Sequence, residues 1–205
     1  MKKWMKHILS ITPLALALLY TSYFRITKNF YAVDPGKLYR SAQLTRDELK
    51  DAIHEYGIKT VISLRGDPPS LFGQENEETT LVKEKVEFHS FPLKMDYYPN
   101  KKHLNEIIEL LHSAPKPILI HCRSGADRTG MISAIYAIEE MHQSKDEALG
   151  QLAFKYWHLR GTHKAMLDFV KVYQGREWAR NSYDPCNYPN YKEHISDCGQ
   201  SIPKQ

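Results

Sequence analysis

One ten-residue stretch combines a nucleophile, a cation and small residues between them. Residues 121–130 read HCRSGADRTG; they follow the apolar run ILI and precede an apolar stretch with helical spacing. A cysteine where a strand gives way to a helix lies in the field of the helix dipole and of several backbone N–H groups, which lower the pKa of its thiol. The sequence therefore predicts that Cys122 is a thiolate at neutral pH and a nucleophile.

The same stretch can bind a phosphate-sized anion. Gly125 can adopt the positive φ that a loop of converging N–H groups needs. Arg128 can return over the loop and bind two oxygens with its planar guanidinium. Thr129 can donate its hydroxyl to the sulfur, and His121 can support the loop by hydrogen bonding. The predicted phosphate-binding residues are Arg123, Ser124, Gly125, Ala126, Asp127 and Arg128.

The stretch resembles the His-Cys, five residues, Arg, Ser/Thr signature of the protein tyrosine phosphatase superfamily. LYRSAQ and GIKTVISLR also resemble segments of the compact dual-specificity-like phosphatases, including atypical bacterial and plant or fungal forms, so the resemblance covers about residues 30–175. It implies a phosphomonoesterase in which Cys122 is the nucleophile and Arg128 the phosphate clamp. Thr129 would help the thiolate leave a phosphocysteine intermediate. Residues 122–128 are called the signature loop below.

A phosphatase of this kind also needs an acid, because the departing oxygen is protonated as the P–O bond breaks. The resemblance places this acid on a loop upstream of the cysteine, and Asp96, in FPLKMDYYPN, is the sole Asp between residues 68 and 122. Asp127 is the rival candidate, because a DRTG ending resembles bacterial lipid and protein phosphatases whose loop Asp takes the part of the acid. The sequence leaves both open, with Asp96 ahead.

Two arginines outside the signature loop are candidates to support it. Arg65 ends a predicted strand beside the expected site and can contact the loop or an acidic residue, with a surface ion pair as the alternative. Arg40, with Ser41, can buttress the loop from a neighbouring strand and turn. The ten histidines form no tight ligand pattern such as HExxH, so we predict no metal and no cofactor.

Past residue 30, short β-type runs alternate with helical patterns, which is typical of an α/β fold. We predict a single phosphatase-type domain whose central, mostly parallel sheet is flanked by helices, with the signature at the carboxyl end of a buried strand, where open sheets place ligand sites. The predicted strands lie in LYRSAQL, KTVISLR, VEFHSFPL and ILIH. The predicted helices cover residues 45–56, 75–85 (a polar surface helix), the stretch from Leu104 to near SAPKP, 130–142, 145–158 and 162–174.

Composition and charge limit the function classes. A chain of 205 residues, 42% apolar and 25% charged, fills one core of ordinary size. Its formal charge of +4 arises at the N-terminus, because residues 1–29 hold five basic and no acidic residues and the remainder holds 23 basic against 24 acidic. The folded part is therefore near neutral, and we predict no nucleic-acid partner.

The N-terminal segment predicts a membrane anchor. The segment from Ile8 to Phe24 contains no charged residue, and its length is about that of a short membrane span. Bulky residues follow this apolar core where signal peptidase requires small ones, which favours an uncleaved anchor; a cleaved signal and a secreted protein are the alternative. Lysines before the segment favour a cytoplasmic N-terminus, so the domain would face outward. The predicted divisions are an anchor over 1–29, a phosphatase domain over 30–175 and an irregular tail over 176–205.

Cys186 and Cys198 lie in this predicted tail, at a spacing that a disulfide closes easily. In an oxidising compartment such a bond would stabilise a segment without regular structure; two unpaired thiols are the alternative. An outward-facing domain cannot reach cytoplasmic phosphoproteins. Lipid and small-molecule phosphates therefore stand beside phosphoproteins as predicted substrates.

Two other function classes stay open at this point. A catalytically weak phosphate-binding module would keep the loop without turnover. A rhodanese-like sulfurtransferase also uses a cysteine loop on an α/β sheet. The five-residue spacing followed by TG favours the phosphatase, and the sequence does not indicate an oligomeric state.

Overall fold

A five-stranded sheet forms the centre of the protein. The computed structural model describes residues 19, 21–23, 26–66, 74–159 and 163–188. The strands follow the order β1-β2-β5-β3-β4; β1 is antiparallel to β2 and all other neighbours are parallel. The strand bounds are β1 Tyr31–Asp34, β2 Leu38–Ser41, β3 Thr60–Ser63, β4 Glu87–Ser90 and β5 Ile118–His121.

Helices cover both faces of this sheet. Successive side chains of a strand point to opposite faces, and β5 directs Ile118 and Ile120 into the larger core and Leu119 into the smaller one. The α/β prediction is therefore confirmed. The helix bounds are α1 Arg46–Tyr56, α2 Gln74–Glu84, α3 Lys101–Ser113, α4 Asp127–Glu139, α5 Lys145–Ala148, α6 Lys164–Val172 and α7 Arg176–Asn181. Short 3-10 turns cover Leu149–Leu152, Phe154–Tyr156 and Pro185–Asn187.

Local signals explain where α1 begins and ends. The Thr45 hydroxyl accepts from the backbone N–H of Glu48, and the Glu48 carboxylate accepts from the backbone N–H of Thr45. This capping box satisfies two donors that have no partner inside the helix. Gly57 ends the helix in the left-handed conformation, at φ 65°. Ser144 and Glu147 form the same box at α5.

The prediction of a helix over residues 145–158 is wrong beyond Ala148. The chain continues as two 3-10 turns and reaches a left-handed conformation at Trp157, with φ 63°. The first turn packs tightly against α4, since a Cβ added to Gly130 would lie 2.7 Å from Leu152 Cδ2. This close approach between two segments, rather than a local helix signal, determines the backbone here.

The tail expected to be irregular from Gly175 contains α7. This helix has only six residues and owes its stability to packing. Tyr183, just beyond it, is buried with its ring 5.5 Å from that of Phe169, and its hydroxyl donates to the carbonyl of Pro99 at 2.6 Å. The core therefore extends beyond residue 175 through the packing of Tyr183.

The N-terminal and C-terminal predictions fall largely outside the described residues. Within the described residues, no helix has the length and apolar character needed to cross a membrane. The anchor over residues 1–29, and the outward orientation that depends on it, stay predictions. Cys186 is disulfide-bonded and Cys122 is a free thiol. Cys198, the predicted partner of Cys186, lies outside the described residues.

Candidate active site

Three parallel strands end at the same level and present the signature loop. Ser41 of β2 and Ser63 of β3 both stand opposite His121 of β5. The chain then passes through Cys122 and enters α4 at Asp127. Because the strands are short and buried, their carboxyl ends form a fixed edge against which the loop packs.

Glycine at position 125 is required by both conformation and space. Its φ is 68°, in the left-handed region that other residues rarely adopt. A Cβ added there would lie 2.6 Å from the carbonyl carbon and oxygen of Ser41 and from the backbone nitrogen of Ala42. The loop therefore touches the end of β2 directly, which confirms the predicted positive φ and places Ser41 behind the loop.

The Cys122 thiol is buried, with 1% exposure, and its pKa is lowered. Burial on its own opposes ionisation and raises the pKa. The charge of Arg128 outweighs it, together with the hydroxyl of Thr129 and the backbone N–H groups of Thr129 and Ser124, which lie close to the sulfur. The groups that the sequence analysis assigned to an anion thus converge on the sulfur.

Arg128 is held beside the loop by two backbone carbonyls. Its Nη1 donates to the carbonyl oxygens of Leu64, after β3, and Leu93, after β4, each at 3.0 Å. These bonds restrict the guanidinium to one orientation, which a clamp for phosphate oxygens needs. They also bring the segment that carries Asp96 next to the clamp.

Arg40 supports the loop from below, as the sequence analysis proposed. It is completely buried, and its Nη2 donates to the carbonyl oxygen of Gly125 at 2.7 Å. Its Nη1 donates to the carbonyl and side-chain oxygens of Gln151, and its Cζ lies 3.9 Å from the centre of the Tyr156 ring. Burial lowers the pKa of Arg40 to about 10, so the guanidinium is charged at neutral pH.

Two residues that sequence reasoning missed also hold the loop. Asn29 is buried, and its Nδ2 donates to the carbonyl oxygens of Ser124 at 3.0 Å and Tyr156 at 3.1 Å. The backbone N–H of Gln43 donates to the carbonyl oxygen of Arg123 at 3.3 Å. Both lie far from the loop in sequence, and no local pattern marks them.

His121 contacts a buried carboxylate of the helix predicted to be polar and on the surface, and the charge of Arg65 acts on the same carboxylate. Glu77 of α2 is 4% exposed, and its Oε1 lies 2.9 Å from His121 Nε2. Arg65 Nη1 donates to Gln43 Oε1 at 2.7 Å. Burial opposes ionisation of Glu77, but His121, Gln43 and Arg65 outweigh it and hold its pKa below the usual range. The surface-helix prediction is therefore wrong at this position.

The two candidate acids have different surroundings. Asp127 is mostly buried, and its Oδ1 lies 2.7 Å from Nδ1 of the buried His158. Asp96 follows β4, has a side chain that is 57% exposed, and places its Oδ1 3.0 Å from His163 Nδ1. Both assignments stay open on these contacts. No group of three or more potential metal ligands occurs among the described residues.

The Thr129→Val substitution should move the ionisation of Cys122 to higher pH. Valine has the shape of threonine without the hydroxyl that stabilises the thiolate, so the pKa of the thiol rises. The pH dependence of alkylation by iodoacetamide measures this shift. For the phosphocysteine that the sequence resemblance implies, release of the thiolate should slow by about ten- to hundredfold, because a hydrogen bond to a charged group contributes about 1.5–3 kcal/mol.

Ser133→Ala is the matched control for this substitution. Ser133 lies one turn further along α4, and its buried hydroxyl is not among the groups that lower the pKa of Cys122. Its removal should leave the alkylation profile unchanged. A Thr129→Val profile that coincides with the wild-type profile would remove Thr129 from the set of groups that stabilise the sulfur.

The fold and the Cys122–Arg128 loop define a domain of the protein tyrosine phosphatase superfamily. The chain belongs to the family described as DSP-PTPase phosphatase fused to NAD+ kinase, whose model matches residues 28–170. The resemblance stated from the sequence is thereby confirmed.

Relatives and solved structures agree with this family. The dual specificity protein phosphatase TpbA of Pseudomonas aeruginosa is 29% identical over 126 residues, which cover 60% of this chain and 53% of TpbA. The chain thus spans about half the length of the curated relatives it matches.

Two crystal structures are similar in fold. One is a cysteine-to-serine variant of P. aeruginosa TpbA in complex with pTyr, at 22% identity and a TM-score of 0.61, covering 75% of this chain and 89% of that chain. The other is the core catalytic domain of the PP-IP phosphatase SIW14 from S. cerevisiae in complex with citrate, at 22% identity and a TM-score of 0.59, covering 74% and 89%.

Proposed function

We propose that this protein is a cysteine-dependent phosphatase that hydrolyses phosphomonoesters through a phosphocysteine intermediate. The observation that carries the proposal is a buried Cys122 whose pKa is lowered by Arg128 and by loop N–H groups. A thiolate in such a cradle faces the same donors that bind phosphate oxygens, so the site can place a phosphorus atom against the sulfur.

In the first step the Cys122 thiolate attacks phosphorus. The S–P bond forms as the P–O bond to the leaving group breaks, and the loop N–H groups and Arg128 bind the three equatorial oxygens. We assign to Asp96 the proton that the leaving oxygen receives. Its segment touches the clamp through Leu93, and movement of that segment would exchange the Asp96–His163 contact for the leaving oxygen.

In the second step water attacks the phosphorus of the phosphocysteine. The Asp96 carboxylate takes a proton from the water, the P–S bond breaks, and inorganic phosphate leaves. The Thr129 hydroxyl donates to the departing sulfur. The lowered pKa of Cys122 supports this step, because a more stable thiolate is a better leaving group.

The relatives support two substrate classes. TpbA is named a dual specificity protein phosphatase, and its variant binds pTyr, which supports phosphorylated proteins. SIW14 is named a PP-IP phosphatase, which supports small-molecule phosphates. Lipid phosphates follow from the predicted outward-facing anchor.

A substrate panel tests the proposal. Phosphate release by the full-length chain would be measured with phosphotyrosine and phosphoserine peptides, phosphoinositides, phosphatidylglycerophosphate and a PP-IP compound, beside thiosulfate with cyanide. Release from at least one phosphate class by the wild type, and from none by Cys122→Ser, is the expected result. Thiocyanate formation without phosphate release would support the sulfurtransferase, and phosphate binding without any turnover would support the binding module.

A further inference from the structure

We propose that His158 is a positioning residue of the signature loop, which holds the carboxylate of Asp127 away from the bound phosphate. This inference rests on the proposed function, since it concerns the same anion site. It goes beyond that function, because neither the reaction steps nor the sequence motif involve His158. The contact joins two side chains that are 31 positions apart, and it connects the segment after the second 3-10 turn to the loop.

The contact is short and closed to solvent. His158 Nδ1 lies 2.7 Å from Asp127 Oδ1, the His158 side chain has no exposed surface, and the Asp127 side chain is 11% exposed. Within the part of the chain that the structure describes, His158 Nε2 makes no hydrogen bond. The imidazole therefore directs one of its two nitrogens at the loop carboxylate, and the other has no hydrogen-bond partner among the described residues.

Counting hydrogen bonds assigns the proton in this pair. A doubly protonated imidazole would bury a charged ring with an N–H donor at Nε2 that has no acceptor, which is costly. A protonated Asp127 that donates to Nδ1 would leave the same Nε2–H unpaired. A neutral ring with its proton on Nδ1 leaves only an acceptor unpaired. We therefore infer that Nδ1–H donates to an ionised Asp127 carboxylate.

A carboxylate at this position needs such a partner. Asp127 is the first residue of α4 and directly precedes Arg128, so its charge lies among the donors that bind phosphate. Turned toward the cradle, it would compete with phosphate for these donors and repel it. The bond to His158 turns Oδ1 into the protein interior, so the loop can carry an acidic residue and still bind an anion.

The experiment measures the affinity for inorganic phosphate, independently of turnover. Phosphate would be titrated calorimetrically into the full-length chain and into its His158 variants. In His158→Leu the carboxylate loses its donor, and we expect phosphate to bind about tenfold more weakly. Adding Asp127→Asn to His158→Leu removes the repelling charge and should restore the affinity to within about threefold.

Two polar variants test the same contact without an apolar substitution in the core. His158→Asn places its amide N–H near the position of Nδ1 and should bind phosphate like the wild type. His158→Gln places its amide near the position of Nε2 and should bind it more weakly. Tighter phosphate binding by His158→Asn than by His158→Gln would show that the hydrogen bond to Asp127 matters, and not only the volume of the side chain. This comparison does not depend on whether His158→Leu folds.

His112→Leu is the matched control. His112 Nδ1 lies 3.0 Å from Glu140 Oε1, just beyond the opposite end of α4, so the substitution breaks a histidine–carboxylate pair that does not touch the loop. The phosphate affinity of His112→Leu should equal that of the wild type. The inference is overturned if His158→Leu binds phosphate like the wild type, if Asp127→Asn does not restore its affinity, or if Gln binds as well as Asn. A wild-type chain that binds no phosphate would instead overturn the proposed function.

Discussion

Cys122→Ser should lose at least a factor of about a thousand in turnover and still bind phosphate. A serine hydroxyl is not ionised at neutral pH, whereas the Cys122 thiol is stabilised as a thiolate by Arg128, Thr129 and loop N–H groups. These donors remain in the variant. Removing the negative sulfur also removes a charge that repels phosphate, so binding should be equal or tighter. Turnover with an aryl phosphate and titration with inorganic phosphate measure the two properties.

Cys186→Ser is the control for Cys122→Ser. Cys186 is disulfide-bonded and lies in the C-terminal segment, so its loss should lower the melting temperature and leave turnover of the folded chain unchanged. Turnover by Cys122→Ser above about a thousandth of the wild-type value would exclude Cys122 as the nucleophile.

Asp96→Asn should reduce turnover by about a hundredfold to ten-thousandfold for an alkyl phosphate. An alkoxide is a poor leaving group and needs a proton, which asparagine cannot give. Activated aryl phosphates should be affected much less, because their phenoxides leave without protonation. The basic limb of the pH profile reports loss of the proton from the acid, and it should flatten in the variant. Turnover of a series of phosphate esters whose leaving groups differ in pKa measures how the effect of Asp96→Asn depends on the leaving group.

Asp127→Asn is the comparison that decides between the two acids. Its effect should be similar for good and poor leaving groups, because the ionised Asp127 that we infer acts on loop geometry and anion binding. The opposite pattern, with a steeper leaving-group dependence in Asp127→Asn and none in Asp96→Asn, would assign the acid to Asp127. It would also contradict the charge state that we infer for the Asp127–His158 pair.

The sequence by itself determined the elements whose causes are local. The signature loop and Thr129 form one uninterrupted segment, so Cys122, Gly125, Arg128 and Thr129 come together through the backbone path of consecutive residues. The ILIH strand has an equally local cause, an apolar run short enough for a buried strand. The capping boxes likewise depend on residues three positions apart.

Only the tertiary structure decided which distant side chains support the loop. Arg40 reaches the carbonyl of Gly125 across 85 residues, and His163 reaches Asp96 across 67. The sequence predicts that Glu77 is a surface residue of a polar helix, but its side chain is buried against His121. The physical reason is that a buried polar group is tolerated only where packing supplies its partner, and separate elements supply that partner after they assemble. Periodicity records which face of an element is apolar, but it contains no information on the polar group that another element will bring to it.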